Sequence, residues 1–102
     1  MIAEQEELLE LARQGKTKAF ETFMQSFTGD INMKGTRKKN LGWSALHLAS
    51  YFGHEGIVKT LLEHGADVDL LNSTGDTALH KAVISNRTVS VTFLFHFIIV
   101  NH

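Results

Sequence analysis

The sequence contains no cysteine and no proline. Without cysteine, disulfide frameworks and zinc sites built on thiolates are excluded. An excess of one charge is also missing, because 10 Lys and Arg residues balance 11 Asp and Glu residues and the formal net charge is −1. This balance gives no general reason to expect nucleic-acid binding.

Long apolar segments are equally absent. The longest run, residues 93–100, is interrupted by His96 and is too short to span a bilayer as a helix. The amino-terminal sequence MIAEQEELLELAR is acidic and helical in pattern, unlike the basic and then apolar start of a signal peptide. We therefore expect a soluble, cytoplasmic protein whose 102 residues form one small domain.

The sequence does contain an internal repeat. The segment 40–66, NLGWSALHLASYFGHEGIVKTLLEHGA, has a pattern that recurs further along the chain at the interval typical of ankyrin repeats. The matching positions are Gly42 and Gly75, Leu46-His47 and Leu79-His80, and Ala49 and Ala82. The expected fold class is all-α, an ankyrin-repeat solenoid of helix-turn-helix pairs with projecting finger loops and about three repeats.

This register predicts the order of elements along the chain. Ser44 and Thr77 are predicted helix N-caps, because their hydroxyls can accept from free backbone N–H groups. Gly53 and Asn86 are predicted to allow left-handed backbone between paired helices. The predicted units are a degenerate capping repeat (4–32, helices 4–14 and 17–27), a long basic finger loop (33–41), a central repeat (42–74, helices 44–51 and 55–64) and a last repeat with a divergent apolar end (75–102, helices 77–85 and 89–100).

The last predicted helix is apolar on every side. We expect Val91, Leu94 and Phe95 to pack on the preceding repeat, because each lies one repeat length after an apolar position of the central repeat. Phe93 and Phe97 are then predicted to face outward. The alternating apolar pattern also fits a strand, but a lone strand would leave its backbone groups unpaired, so stacking of a helix is favoured.

Three aromatic residues are the main candidate contacts for a partner. On the ankyrin frame Trp43, after the finger glycine, and Tyr51 and Phe52, before the inter-helix glycine, approach the concave surface. Trp and Tyr are favoured anchors because they bury much area with few rotatable bonds. The alternative is that one or two of them, Phe52 above all, pack on the basic loop or the first repeat.

The basic finger is the second candidate region. Its cations could steer an acidic protein surface or anionic lipid headgroups toward the chain, or they could simply form a solvated loop. The complete set of predicted partner-binding residues is Trp43, Tyr51, Phe52, Asn40, Leu41, Lys34, Arg37, Lys38, Lys39, Ser73, Thr74 and Asp76.

Catalysis and metal binding find no support in the sequence. His47 and His80 belong to the repeat pattern, in which the histidine hydrogen-bonds between neighbouring turns. No pair among the six histidines has the i, i+4 spacing with a carboxylate that a helical zinc site uses. No nucleophile, base and orienting group can be named. We therefore predict no catalytic residue, no cofactor, no metal site and no enzyme activity.

Four segments resemble a particular family: DINMKG, NLGW, LHLASYFGH and LLNSTGDTALH. Over roughly residues 8–82 they are similar to the amino-terminal ankyrin region of the long form of an oxysterol-binding-protein-related protein. The resemblance implies binding of a Rab-family small GTPase, which would place a lipid-transfer protein on late endosomes. Membrane association would then be indirect, through the partner.

The chain also departs from that family. Ala45 and Ala78 stand where the repeat usually has proline, and the sequence after Ala82 diverges. The His-His-Pro-Pro fingerprint of the family's sterol-binding domain cannot occur without proline, so we expect no direct sterol binding. The chain would be the recruitment module alone, as a fragment or a short form.

Two other functional classes stay open. One is a generic ankyrin scaffold or spacer without a dedicated ligand, which polar residues at positions 43, 51 and 52 would have favoured. The other is a membrane-surface binder that uses the basic loop and the apolar tail, and liposome flotation would detect it.

Overall fold

The computed structural model describes residues 2–101, with side-chain environments from residue 4 onward. This part of the chain contains no β-strand, only an isolated bridge between Gly35 and Leu41. Its α-helices are α1 (Ile2–Gln14), α2 (Thr17–Met24), α3 (Ala45–Phe52), α4 (Glu55–Glu63), α5 (Ala78–Ile84) and α6 (Thr88–Asn101), and a short 3-10 turn spans Lys38–Asn40. The predicted all-α repeat fold is confirmed, and the strand alternative for the last segment is wrong.

The helices form two layers. The first helices of the three pairs lie side by side, since α3 contacts both α1 and α5, and the second helices do the same, since α4 contacts both α2 and α6. The central pair has neighbours on both sides, and Leu48, Ile57 and Leu61 are accordingly buried. No single pair could bury its apolar face alone, so stacking supplies the stability.

Both predicted N-caps are confirmed. The Ser44 hydroxyl accepts the His47 N–H at 3.3 Å, and His47 Nδ1 accepts the Ser44 N–H at 3.3 Å. Thr77 and His80 repeat this reciprocal pair at 3.2 and 3.0 Å. The left-handed turns are also as predicted, with φ of 76° at Gly53 and 60° at Asn86.

The packed face of α6 differs from the prediction. Leu94 is fully buried and Val91 is half-buried, as expected, but Phe95 is 56% exposed. Phe93 and Phe97, which were expected to face outward, are half-buried against the core. No charged residue occurs in α6, and its exposed side carries only a short polar stripe, Thr88, Thr92 and His96. Contact with α4 and α5 buries the opposite side.

The central repeat explains why Phe95 is exposed. Leu62 holds the equivalent position in the preceding repeat and is only 6% exposed, because the stack continues past it. Within the described residues no further repeat covers Phe95. The other exposed large apolar residues of α6 are Val89, Ile99 and Val100. No helix within residues 2–101 combines the length and apolar character needed to cross a membrane.

Candidate functional site

The basic finger (residues 33–41) is closed by backbone hydrogen bonds. The Gly35 N–H donates to the Trp43 carbonyl at 2.8 Å, and the Gly42 N–H donates to the Gly35 carbonyl at 2.9 Å. A Cβ at position 35 would lie 2.2 Å from the Asn40 carbonyl oxygen, so the two sides of the loop approach too closely for a side chain there. The finger is therefore held closed by its own backbone.

The finger also rests on α1. The backbone N–H and the hydroxyl of Thr36 donate to the same carboxylate oxygen of Glu6, at 2.9 and 3.0 Å. Glu6 is buried with only 2% of its surface exposed. The four predicted cationic residues of the finger, Lys34, Arg37, Lys38 and Lys39, are all exposed.

Asn40 and Leu41, at the end of the finger, have different environments. The side chain of Asn40 is buried, and its backbone carbonyl accepts the Trp43 N–H at 3.0 Å. Asn40 thus supports the loop, whereas Leu41 is 62% exposed and is available for contact.

Trp43, Tyr51 and Phe52 form a continuous aromatic ladder. The ring centroids of Trp43 and Tyr51 lie 5.3 Å apart, those of Tyr51 and Phe52 lie 5.1 Å apart, and both pairs meet edge to face, which is a favoured aromatic geometry. Trp43 and Tyr51 are half-buried, and Phe52 is 36% exposed. Lys39 and Leu48 line a surface pocket together with the ladder. The structure thus brings the predicted aromatics and one predicted cation together.

Lys81 completes this surface and was not predicted from the sequence. Its ammonium lies 4.7 Å from the centroid of the Trp43 ring, within the range of a cation–π interaction, and 3.1 Å from Asp76. Hydrogen bonds from Lys81 and from Thr74 hold the pKa of Asp76 below its ordinary value. The repeat register could have identified Lys81. Leu48 lines the aromatic pocket, and Lys81 occupies the equivalent position in the last repeat.

The turn that carries Ser73 and Thr74 joins the first finger. The Ser73 N–H donates to the Gly42 carbonyl at 3.0 Å, and the Thr74 hydroxyl contacts a carboxylate oxygen of Asp76 at 3.0 Å. Both residues are exposed. The three predicted contacts at 73, 74 and 76 therefore lie next to the aromatic ladder, on the side of Lys81.

His47 connects the central and last helix pairs. Its Nδ1 accepts from Ser44, so its Nε2 carries the proton and donates to the Asp76 carbonyl at 2.8 Å. Burial is the main reason that the pKa of His47 lies below the ordinary value of 6.5. The predicted role of this histidine, a hydrogen bond between neighbouring turns, is confirmed.

The site combines apolar area with positive charge. Lys39 and Lys81 border the aromatic ladder, and the carboxylate of Asp76 is engaged by Lys81. Such a surface suits a protein partner that offers apolar side chains surrounded by acidic ones. Among the described residues, no group of three or more His, Asp or Glu side chains could hold a metal ion.

Comparisons with known proteins agree with this architecture. A family model described as ankyrin repeats, in three copies, matches residues 8–102. The chain is 42% identical over 73 residues to human oxysterol-binding protein-related protein 1, covering 67% of the chain and 8% of that protein. The rat protein of the same name is 41% identical over the same length. The Notch-regulated ankyrin repeat-containing protein of Xenopus tropicalis is 33% identical over 88 residues, covering 83% of the chain and 74% of that relative.

Proposed function

Because the chain belongs to the ankyrin-repeat family, we propose that it is a protein-interaction module that binds a Rab-family small GTPase and thereby recruits a lipid-transfer protein to late endosomes. The observation that carries this proposal is the half-exposed aromatic ladder with Lys39 and Lys81 beside it. Ankyrin repeats are typically interaction scaffolds rather than enzymes. Residues 1–102 act as one cytoplasmic domain in this proposal, with 4–32 as the capping repeat and 33–41 as the basic finger.

The GTPase and the lipid-transfer context come from similarity. The chain is similar to the ankyrin region of oxysterol-binding protein-related protein 1, but it spans less than a tenth of the length of that relative. We assign to this chain only the recruiting step, with no sterol binding of its own. The basic finger supports an acidic partner surface, since complementary charge speeds encounter and aligns the two proteins.

The aromatic ladder gives the sharpest test. Purified Rab-family GTPases, each loaded with GDP or a non-hydrolysable GTP analogue, are titrated against the chain. We expect at least one to bind, and Trp43→Ala and Tyr51→Ala each to weaken binding by about 2 kcal/mol or roughly 30-fold, as for an interface hot spot. Phe95→Ala is the matched control, because Phe95 is an exposed aromatic on α6. Binding by no member of the panel, or normal binding by both ladder variants, would refute the proposal.

The finger cations are tested by the kinetics of the same interaction. One variant replaces Lys34, Arg37 and Lys38 by glutamine, and a charge-matched control replaces Lys16, Lys18 and Lys59, which are exposed outside the finger. The finger variant should associate more slowly, with a weaker salt dependence and a nearly unchanged dissociation rate. A large increase in its dissociation rate would place these residues inside the interface, and equal behaviour of the two variants would remove the finger from the mechanism.

A membrane-surface binder is the second candidate, because α6 exposes Phe95, Ile99 and Val100 and has no charged side chain. The chain is floated with vesicles of phosphatidylcholine containing phosphatidylserine, without any GTPase. Flotation that Phe95→Glu abolishes would support this function over the GTPase proposal. Absence of both flotation and GTPase binding would favour a scaffold or spacer.

A further inference from the structure

The contact between Thr36 and Glu6 is the only support of the Glu6 carboxylate within the described residues. One carboxylate oxygen takes both hydrogen bonds from Thr36, and the other is buried without a hydrogen-bond partner in that part of the chain. A buried carboxylate is stable only while its charge is compensated by donors. The docking of the finger on α1 therefore depends strongly on the chemical state of the Thr36 side chain.

Thr36 lies in an accessible and strongly basic segment. Thr36 is an exposed residue, Lys34 precedes it by two positions, and Arg37, Lys38 and Lys39 follow it directly. The segment 33–41 contains no acidic residue. A serine/threonine kinase with an acidic peptide-binding groove would find both the hydroxyl and the complementary charge there.

We propose that Thr36 is a phosphorylation site and that its phosphorylation releases the basic finger from α1. A bond forms between Thr36 Oγ1 and the terminal phosphorus of ATP as the phosphoanhydride bond breaks. ADP leaves, and the hydroxyl proton passes to the catalytic base of the kinase. The modified side chain can no longer donate to Glu6, and a charge of about −2 then stands against a buried carboxylate.

A cleft separates the finger from α1, and the charges that line it explain why phosphorylation would release the finger. The ionisable residues that α1 contributes to the cleft are Glu6, Glu7 and Glu10, all acidic. The cations that line this cleft, Arg37, Lys38 and Lys39, belong to the finger and move with it. The phosphate is repelled by the carboxylates of α1, and it neutralises part of the positive charge that attracts the finger to them, so both effects favour separation. This inference does not depend on the identity of the protein partner.

Hydrogen exchange of the Thr36 amide reads out the release directly. The full chain is prepared with phosphothreonine at position 36, and amide exchange is followed by NMR. We expect the Thr36 amide to exchange at least about tenfold faster, since hydrogen bonds to charged groups are among the stronger ones. Phosphothreonine at position 28, an exposed threonine outside the finger, is the control and should leave this rate unchanged. An unchanged rate with phosphate at position 36 would overturn the proposal.

The cause is tested by Glu6→Gln, which keeps a hydrogen-bond acceptor but removes the charge. In this variant phosphorylation should accelerate exchange much less than in the native chain, and an equal acceleration would overturn the electrostatic mechanism.

Site selection is tested by incubating the full chain with ATP and a kinase of the lysine- and arginine-directed class. Mass spectrometry should place the phosphate on Thr36, and replacing Lys34, Arg37 and Lys38 by glutamine should slow its incorporation. Phosphate elsewhere, or an unchanged rate, would refute the assignment.

Discussion

Gly42 and Gly75 occupy the same position in successive repeats, so replacing each by alanine compares the same backbone strain in two different surroundings. Their φ angles are 80° and 84°, both in the left-handed region. An alanine there costs roughly 1–2 kcal/mol relative to glycine, offset by about 0.4–1 kcal/mol because the unfolded chain loses freedom. Gly75→Ala should therefore lower the free energy of unfolding by at most about 1.6 kcal/mol.

The surroundings of the two glycines differ. A Cβ at position 42 would lie 1.9 Å from the Ser73 hydroxyl oxygen and 2.6 Å from Ser73 Cβ, whereas a Cβ at position 75 would meet nothing within 4 Å. Ser73 would have to move, which endangers its N–H hydrogen bond to the Gly42 carbonyl. Losing that bond costs about 1 kcal/mol and crowding adds about 1 more, so Gly42→Ala should cost roughly 2 kcal/mol more than Gly75→Ala.

Urea denaturation followed by circular dichroism measures both variants. The double variant Gly42→Ala/Ser73→Gly removes the atoms that crowd the new methyl group and should restore the stability to about that of Gly75→Ala. The reasoning fails if Gly42→Ala is no more destabilising than Gly75→Ala, or if Ser73→Gly gives no recovery in the Gly42→Ala background.

The buried histidine and the last helix give two further predictions. Because burial lowers the pKa of His47 below 6.5, the unfolded chain binds more protons below that pH, and stability should fall on acidification from pH 7 until the folded-state pKa is passed. Urea titrations from pH 7.5 to 5 should show a weaker fall for His47→Gln than for the native chain or His80→Gln, and equal slopes would contradict this. Phe97→Glu should lower the free energy of unfolding by about 1–3 kcal/mol, whereas Phe95→Glu should change it little and raise solubility; the reverse order would mean that the opposite face of α6 is packed.

The repeat register was a reliable guide to helix caps and turns, although it failed for Phe95, which is exposed while its counterpart Leu62 is buried. It predicted the caps at Ser44 and Thr77 and the left-handed turn at Asn86, because each is a local consequence of residue type at a fixed position. It also predicted that Trp43 and Tyr51 approach one surface of the stack, and their rings are in contact.

Contacts made by residues that have no equivalent in another repeat could not be predicted from the sequence. Glu6 and Thr36 are far apart in the sequence, and no periodic pattern connects a helix residue with a loop that occurs once. The face of α6 was misjudged for a different reason: the helix has no charged residue, and apolar residues occur on all of its sides. Its exposed side carries only the short polar stripe of Thr88, Thr92 and His96, which is too weak a contrast for hydrophobic periodicity to identify the buried face.

Trp43 is the only tryptophan of the chain, and its position has a practical consequence. Its indole lies between Tyr51 of α3 and the ammonium of Lys81 on α5, so its fluorescence reports on the junction between the second and third helix pairs. Units of a repeat stack contact only their neighbours and can separate from one end. Loss of α5 and α6 would shift the emission while α1 to α4 still contribute their helical signal. The chain thus carries an optical probe that separates fraying of its last repeat from global unfolding without any label.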